Sequence, residues 1–193
     1  MNDELLVTMI RLRDGREACV RPLTSEDAEI LGDFFCGLSE KTRSTYGPHP
    51  FGRDTAAELC AAVSDQRTVR FVAVVDDETP RAEIIAYMIL SRHIWDGDRD
   101  RYGETVPWET TACLAPVVAD VHQGQGLGSA MGRHVLACAR AQGLSHVILM
   151  GGVMDENPRA RRVYEKLGFE FARSFETEAG GRRRLNHDMV VTL

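Results

Sequence analysis

Apolar positions along the chain change their period several times, and each change marks an element. Glu17–Leu23 (EACVRPL) alternates in character and predicts a short strand. Residues 1–16 before it read as an irregular segment or a leading strand. Thr24 then opens a helix, with Asp27 three residues on as a variant of the capping box. Ala28, Leu31, Phe34, Phe35 and Leu38 share one face of that helix. Ser39–Gly52 reads as a loop, because Pro48 and Pro50 forbid a regular helix. Asp54 caps a second helix to about Val63, with Ala57, Leu59 and Cys60 inside it. Thr68–Val75 and Ala82–Ser91 are rich in β-branched and aromatic residues and predict two strands, joined by turn residues at Asp76–Pro80. His93–Pro107 is a polar loop, and Trp108–Ala119 resumes strand character.

From Gly124 the period becomes helical. Leu127, Met131, His134, Val135 and Cys138 form one stripe, and Gly143 ends the helix. Ser145–Met150 is a short buried strand. Asn157-Pro158 starts another helix, with Pro in its first turn, a stripe of Ala160, Val163, Tyr164 and Leu167, and Gly168 as terminator. Phe169–Thr177 and Arg183–Thr192 are two last strands joined through a Gly180-Gly181 hairpin signal. The predicted order is β-α-α-β-β-β-α-β-α-β-β, one mixed α/β domain over residues 1–193 without repeat or linker.

Composition narrows the function. The 193 residues are 44% hydrophobic and 27% charged, which suits a folded domain. Lys and Arg number 23 against 29 Asp and Glu, a net charge of −6, so the chain lacks the cation surplus that sequence-independent nucleic-acid binding requires. No stretch reaches the roughly 20 apolar residues of a membrane span, and Asp3 and Glu4 do not fit a secretion signal, so the expected location is cytoplasmic and away from membranes. Five cysteines (Cys19, Cys36, Cys60, Cys113, Cys138) show no metal-ligand spacing and sit among apolar or small residues, where a thiol packs as a small hydrophobe. No metal is expected.

The chemistry concentrates in two segments. In VVADVHQGQGLGSAM a strand enters a glycine-rich turn, Gln123-Gly124-Gln125-Gly126-Leu127-Gly128, which leads directly into the amphipathic helix. Glycines admit close backbone approach and positive φ, and the free N–H groups of a first helical turn attract an anion such as phosphate. The turn lacks the Lys-Ser/Thr of a P-loop and the downstream acid of a Rossmann fingerprint. A purely structural turn is the competing reading. About 30 residues on, Asn157 and Tyr164 lie two helical turns apart with the small Ala160 between them, which leaves room for a ligand along that face.

Together the two segments resemble the GNAT N-acetyltransferase superfamily, which transfers an acetyl group from acetyl-CoA to an amine. The family's Arg/Gln-x-x-Gly-x-Gly/Ala is matched by Gln123, Gly126 and Gly128, and its Asn-x-x-Ala-x-x-x-Tyr with a following Leu-Gly-Phe by Asn157, Ala160, Tyr164, Leu167, Gly168 and Phe169. The order of elements extends the likeness from Arg21 to Leu193. The resemblance implies a single α/β domain with a central mixed, mostly antiparallel sheet, splayed at the acetyl-CoA site, and helices on both faces. Acetyl-CoA is the implied co-substrate, held by the amides of Gln123, Gly124, Gln125, Gly126, Leu127, Gly128 and Ser129, with Asn157 and Ala160 along the pantetheine arm. Arg161 and Arg162 are candidates for the 3′-phosphate, against a solvated helix face as the plainer reading. The backbone N–H near Val118 would bond the acetyl carbonyl, and Pro116 in the same strand suits an edge or a bulge.

Tyr164 is the implied general acid for the leaving thiolate, with core packing as its alternative role. For the general base Glu109 comes first, with Asp120, His122, Glu83 or water as rivals and an exposed strand-end charge as the plain reading of Glu109. Tyr46, His49, Phe51, Trp95, Asp96, Asp98, Asp100, Tyr102 and Trp108 fall where the family builds its acceptor pocket, and aromatic plus acidic lining would suit a cationic amine. The acceptor is then a small-molecule amine or a protein lysine or N-terminus, and a homodimer is compatible with the sequence. Two other readings compete: a non-catalytic acyl-CoA-binding sensor of the same fold, and a nucleotide-binding α/β protein.

Overall fold

Strands whose residues are apolar on both faces need neighbours above, below and beside them, and the chain supplies these with one open sheet. The computed structural model describes residues 6–179 and 181–193. Residues 1–5 of the leading segment, and Gly180 of the expected Gly180-Gly181 turn, lie outside the described residues. Among the described residues the strands are β1 (Thr8–Arg11), β2 (Glu17–Pro22), β3 (Thr68–Val75), β4 (Glu83–Ser91), β5 (Thr111–Val118), β6 (His146–Leu149), β7 (Val153–Met154), β8 (Glu170–Ala179) and β9 (Arg182–Thr192). They lie in the order β1-β2-β3-β4-β5-β6-β9-β7, with β8 also paired to β9. β5 and β6 run parallel, and the other pairs are antiparallel.

The helices are α1 (Ala28–Gly37), α2 (Glu40–Ser44), α3 (Arg53–Ala61), α4 (Asp96–Tyr102), α5 (Leu127–Ala141) and α6 (Pro158–Lys166). On one face Leu127, Met131 and Val135 of α5 join Phe71, Met88 and Leu114 of the sheet in a core that also takes in Tyr164 of α6. On the other, Leu31 and Phe35 of α1 and Cys60 of α3 cover Val72, Tyr87 and Val117. Farther along that second face, Tyr102 of α4 packs on Cys113 and Ile148. Alternate residues of β5 therefore feed opposite cores, Ala112 and Leu114 toward α5 and Cys113, Ala115 and Val117 toward α1 and α4. Close contact between α5 and α6 depends on Gly132, where an added Cβ would lie 2.6 Å from Leu167 Cδ1.

The structure departs from the sequence reading in several places. The segment 39–52 is not all loop, because Ser39 caps the short helix α2 by accepting from the Thr42 N–H at 3.2 Å. His93–Pro107 is not a loop either, since it holds α4. That helix has no apolar stripe to announce it and is held by tertiary bonds instead. Asp98 is buried, accepts from the Gly151 N–H and pairs with Arg101, which in turn reaches the fully buried Asp188 at 2.8 and 3.1 Å. Tyr102 adds a hydroxyl bond to the Met189 carbonyl at 2.8 Å. Gly52 rather than Asp54 is the N-cap of α3, and 108–110 is a 3-10 turn ahead of β5. Cys60, Cys113 and Cys138 are buried as expected, whereas Cys36 is exposed on α1. No helix among the described residues is long and apolar enough to cross a membrane.

Replacing Arg101 with Met leaves two buried carboxylates facing each other, so Arg101→Met should destabilise the chain by about 3–5 kcal/mol in urea denaturation at pH 7. The deficit should shrink as pH falls and the carboxylates protonate.

Candidate acyl-CoA and acceptor site

The site begins where two strands part. β5 pairs with β4 from Cys113 to Val118 but with β6 only from Thr111 to Leu114. The Ala119 N–H bonds to Ile85 on β4, whereas Leu114 accepts from Met150 at the end of β6. Since backbone direction alternates along a strand, the even-numbered groups of β5 face the β6 side. Past Leu114 they face a gap. Pro116, which has no N–H, occupies the first such position without breaking a ladder bond, and Val118 points the next N–H into the gap.

The chain then turns back over the end of β5. Gly124 and Gly126 have φ of +75° and +91°, values that only glycine adopts without strain. Gly126 serves as the N-cap of α5, and the first internal bond of the helix runs from the Ala130 N–H to the Gly126 carbonyl. The amides of Leu127, Gly128 and Ser129 therefore have no acceptor within the helix, at the positive end of a four-turn dipole. A Cβ added to Gly128 would sit 3.5 Å from Val118 Cγ2, so the glycine turn lies directly against the strand end whose amide faces the gap.

Two side chains hold this turn in place. Gln123 donates to the Val118 carbonyl and to Thr42 Oγ1, both at 3.1 Å, and accepts from Arg159 at 2.9 Å. It thereby ties β5, α2 and α6 together. Asp120 accepts from the Ser39 N–H at 2.9 Å, Ser39 Oγ at 2.7 Å and Thr42 Oγ1 at 2.7 Å. Partial burial pushes its carboxyl upward, but these three donors outweigh that and hold it below the usual aspartate value. Thr42 and Arg159 were absent from the sequence reading, since neither motif includes them.

On α6, Asn157 caps the helix through Oδ1, which accepts from the Ala160 N–H at 3.1 Å. Ala160 is half-buried between Asn157 and Tyr164. Tyr164 is buried, its ring 5.6 Å from that of Phe169, and burial raises its phenol above the ordinary value of 10. Arg161 pairs with Glu165 at 3.2 Å on the solvent side, and Arg162 is exposed.

Among the sequence-proposed bases, the structure does not bring Glu109 to this place. It is exposed at the opposite end of β5, nine positions from Val118 and so about 25–30 Å away along a strand. Asp120 spends its oxygens on α2. Glu83 is exposed at the start of β4, and His122 is buried in the turn between Ala119 and Gln123.

The expected acceptor residues divide into two groups. Tyr46, His49 and Phe51 fold inward and pack with Phe35 and Tyr87, with ring centroids 4.8–5.7 Å apart. Arg43 fixes this segment by donating to the carbonyls of Leu38, Cys36 and Phe51 at 2.8, 3.0 and 3.1 Å. His49 Nδ1 contacts the Pro50 carbonyl at 2.8 Å and its Nε2 lies 3.3 Å from the Tyr87 hydroxyl. Burial lowers the His49 pKa below 6.5, which keeps the ring neutral at pH 7. Asp98 and Tyr102, by contrast, serve to anchor α4, and Trp108 donates to the Gly103 carbonyl under Arg99. Asp96 and Asp100 are exposed. The acidic half of the expected pocket is thus spent on packing or left at the surface.

Comparison with known proteins identifies the family and the fold. The profile of the acetyltransferase (GNAT) domain family matches residues 18–170. The GNAT domain of S. lividans PAT superposes with a TM-score of 0.73 at 28% identity, covering 97% of each chain. Mycobacterium smegmatis RimJ, solved with CoA-disulfide, gives a TM-score of 0.73 at 17% identity over 96% of this chain and 86% of the other. AAC(6')-Ib, solved with paromomycin and acetyl-CoA, gives 0.65 at 18% identity over 90% and 92%. No curated protein sequence matches the chain.

A valine at position 126 cannot hold a φ of +91° without strain, so Gly126→Val should abolish the stabilisation by acetyl-CoA in a thermal-shift titration while costing the ligand-free fold only about 1–2 kcal/mol. His49 makes a second test. Its proton binds more readily in the unfolded chain, so unfolding takes up a proton and stability falls as pH drops below about 6.5. His49→Gln should remove that part of the pH dependence, measured as the difference between the two proteins in urea melts from pH 7.5 to 5.

Proposed function

We propose that this chain, which belongs to the GNAT acetyltransferase family, moves the acetyl group of acetyl-CoA to a primary amine by direct attack while both substrates are bound. The observation that carries the reading is the unpaired Val118 N–H beside the left-handed Gly124–Gly126 turn. One group is placed for an acetyl oxygen, and the other for the pyrophosphate of the same molecule. The family makes the chain an N-acetyltransferase with acetyl-CoA as its acyl donor.

In this scheme the amides from Gln123 to Ser129 hold the pyrophosphate, with the side chain of Gln123 acting as a brace. The pantetheine arm enters the gap between β5 and β6 along Ala160 and Asn157. Val118 bonds the acetyl oxygen and stabilises the negative charge that grows there as the amine attacks. Neutral His49, its ring fixed by Pro50 and Tyr87, takes the proton released by the amine, replacing the distant Glu109.

The C–S bond then breaks, and Tyr164 supplies the proton that the leaving sulfur needs. A phenol near pKa 10 is a weak acid toward a thiol near 8.5 in water, but burial changes the thiol as well as the phenol. Within this sheet, burial pushes the Cys113 thiol up to about 12. Burial would raise a sulfur leaving between the strands in the same direction as it raises the phenol of Tyr164.

The whole domain is the unit of function and works in the cytoplasm; its five cysteine thiols, three of them buried, support that location, as does the need for acetyl-CoA. Tyr164→Phe should lower kcat by about 100-fold or more, with the KM for acetyl-CoA within about threefold, in an assay of CoA release. Unchanged kcat across pH would remove Tyr164 from the acid role. Tight acetyl-CoA binding with no CoA release from any amine would instead identify a sensor.

A further inference from the structure

Within the strand TVRFVAVV, Arg70 is the one charged residue. Its register partners are Ile89 on β4 and, beyond that, Ala115 on β5, so it stands on the α1 side of the sheet about 10 Å from the strand that borders the gap. There it meets the aromatic cluster. Its Nε and Nη1 are shut off from solvent and have no hydrogen-bond partner, and the buried hydroxyl of Tyr46 is in the same condition. Among the described residues Arg70 forms no ion pair and no stacking contact with a ring. Arg21 on the neighbouring strand β2 is the instructive contrast, because it is bonded to both Asp27 and Asp77 at 2.8–3.1 Å.

Tyr46, His49, Cys60 and Tyr87 lie around Arg70, and burial favours the neutral form of each by raising the phenols and the thiol and lowering the imidazole. Among the described residues no acid pairs with this half-buried cation, and a guanidinium with two of its nitrogens shut off from solvent and no counter-charge is costly. The donors left over all point to one missing partner, an oxygen anion. Tyr46 also sets the direction, since it is coupled at once to Arg70, to Tyr87 and to Tyr164 across the sheet end.

We propose that Arg70 and the Tyr46 hydroxyl bind a carboxylate carried by the amine acceptor, so that the substrate class is an amino-acid-like amine rather than a polycation. This deepens the acetyltransferase reading and rests on it. The carboxylate lies toward β3 and the amine toward Val118, with His49 and Tyr87 between them. The acceptor enters beside the Tyr46–Phe51 segment, which ring contacts and the 3.3 Å contact between the Tyr87 hydroxyl and His49 Nε2 hold on the sheet. A polyamine in the same place would set a second cation against Arg70 with no acid nearby to offset it.

The test compares amino acids with their carboxamides and their decarboxylated amines at saturating acetyl-CoA, in the wild type, Arg70→Met and Arg70→Lys. Acetyl-CoA affinity is measured by calorimetry in each protein. The wild type should favour the carboxylated member by at least about 30-fold in kcat/KM. Arg70→Met should reduce that ratio to below about threefold, through KM rather than kcat, and Arg70→Lys should restore part of it. A second readout needs no turnover. N-acetylated amino acids should raise the Tm of the wild type but not of Arg70→Met, and without them Arg70→Met should melt no lower than the wild type, having lost an unpaired buried charge.

Equal rates across each trio, equal loss on every member, or a lower-melting Arg70→Met with no carboxylate-dependent shift would overturn the proposal. In those cases acetyl-CoA would still bind and some amine would still be acetylated. Failure of the acetyltransferase reading looks different, because acetyl-CoA would not bind or CoA would not be released. The melting arm then decides the carboxylate site by itself.

Discussion

The parting of β5 from β6 after Leu114 is the constraint on which the rest of the site depends. A backbone N–H in the middle of a sheet is normally consumed by its neighbour. Here six residues of β5 bond to β4 while only four bond to β6, so the strand is held firmly from one side and left open on the other. Pro116 suits this arrangement because the position needs no donor. The opening is therefore part of the fold, maintained by β4 and by the packing of Ala115 and Val117 beneath α1.

Everything that touches the open end is braced from outside it. Gln123 ties the glycine turn to Val118, α2 and α6, and Asp120 fastens the same turn to the N-terminus of α2. These bonds leave the amides of the first turn of α5 fixed in direction before any ligand arrives, which is the condition for strong anion binding at a helix start. The same economy applies to Asn157, whose oxygen is used to start α6 and to set the direction in which Tyr164 projects.

The two faces of the sheet do different work. Toward α5 the packing is mainly apolar, with His134 against Phe71 and the phenol of Tyr164 among the polar groups that join it. Toward α1 the apolar floor is interrupted by His49, Tyr87, Tyr46 and Arg70, neutral groups surrounding one cation. The other buried acids of this face are matched, Asp27 with Arg21 and, at the far side of β6, Asp98 and Asp188 with Arg101. Matched charges hold elements together, and an unmatched one is free to select what enters.

Much of this was legible in the sequence. The periods of two and 3.6 located the long strands and α1, α3, α5 and α6, because each of those elements buries a continuous apolar stripe. The glycine turn and the Asn157–Tyr164 spacing marked the side proposed for the cofactor, because positive φ and helical periodicity are local properties of a few consecutive residues. The structure alone decided what depends on distant partners. α2 and α4 carry no stripe, and their helicity comes from Asp120, Gly151 and Asp188, residues 53 to 87 positions from those they bond. Glu109 came first as a base, with Asp120 among its rivals, until the length of β5 removed one and the donors of α2 occupied the other. Arg70 was visible as a lone cation in an apolar strand. That it lacks a counter-ion depends on every side chain around it, which no local pattern contains.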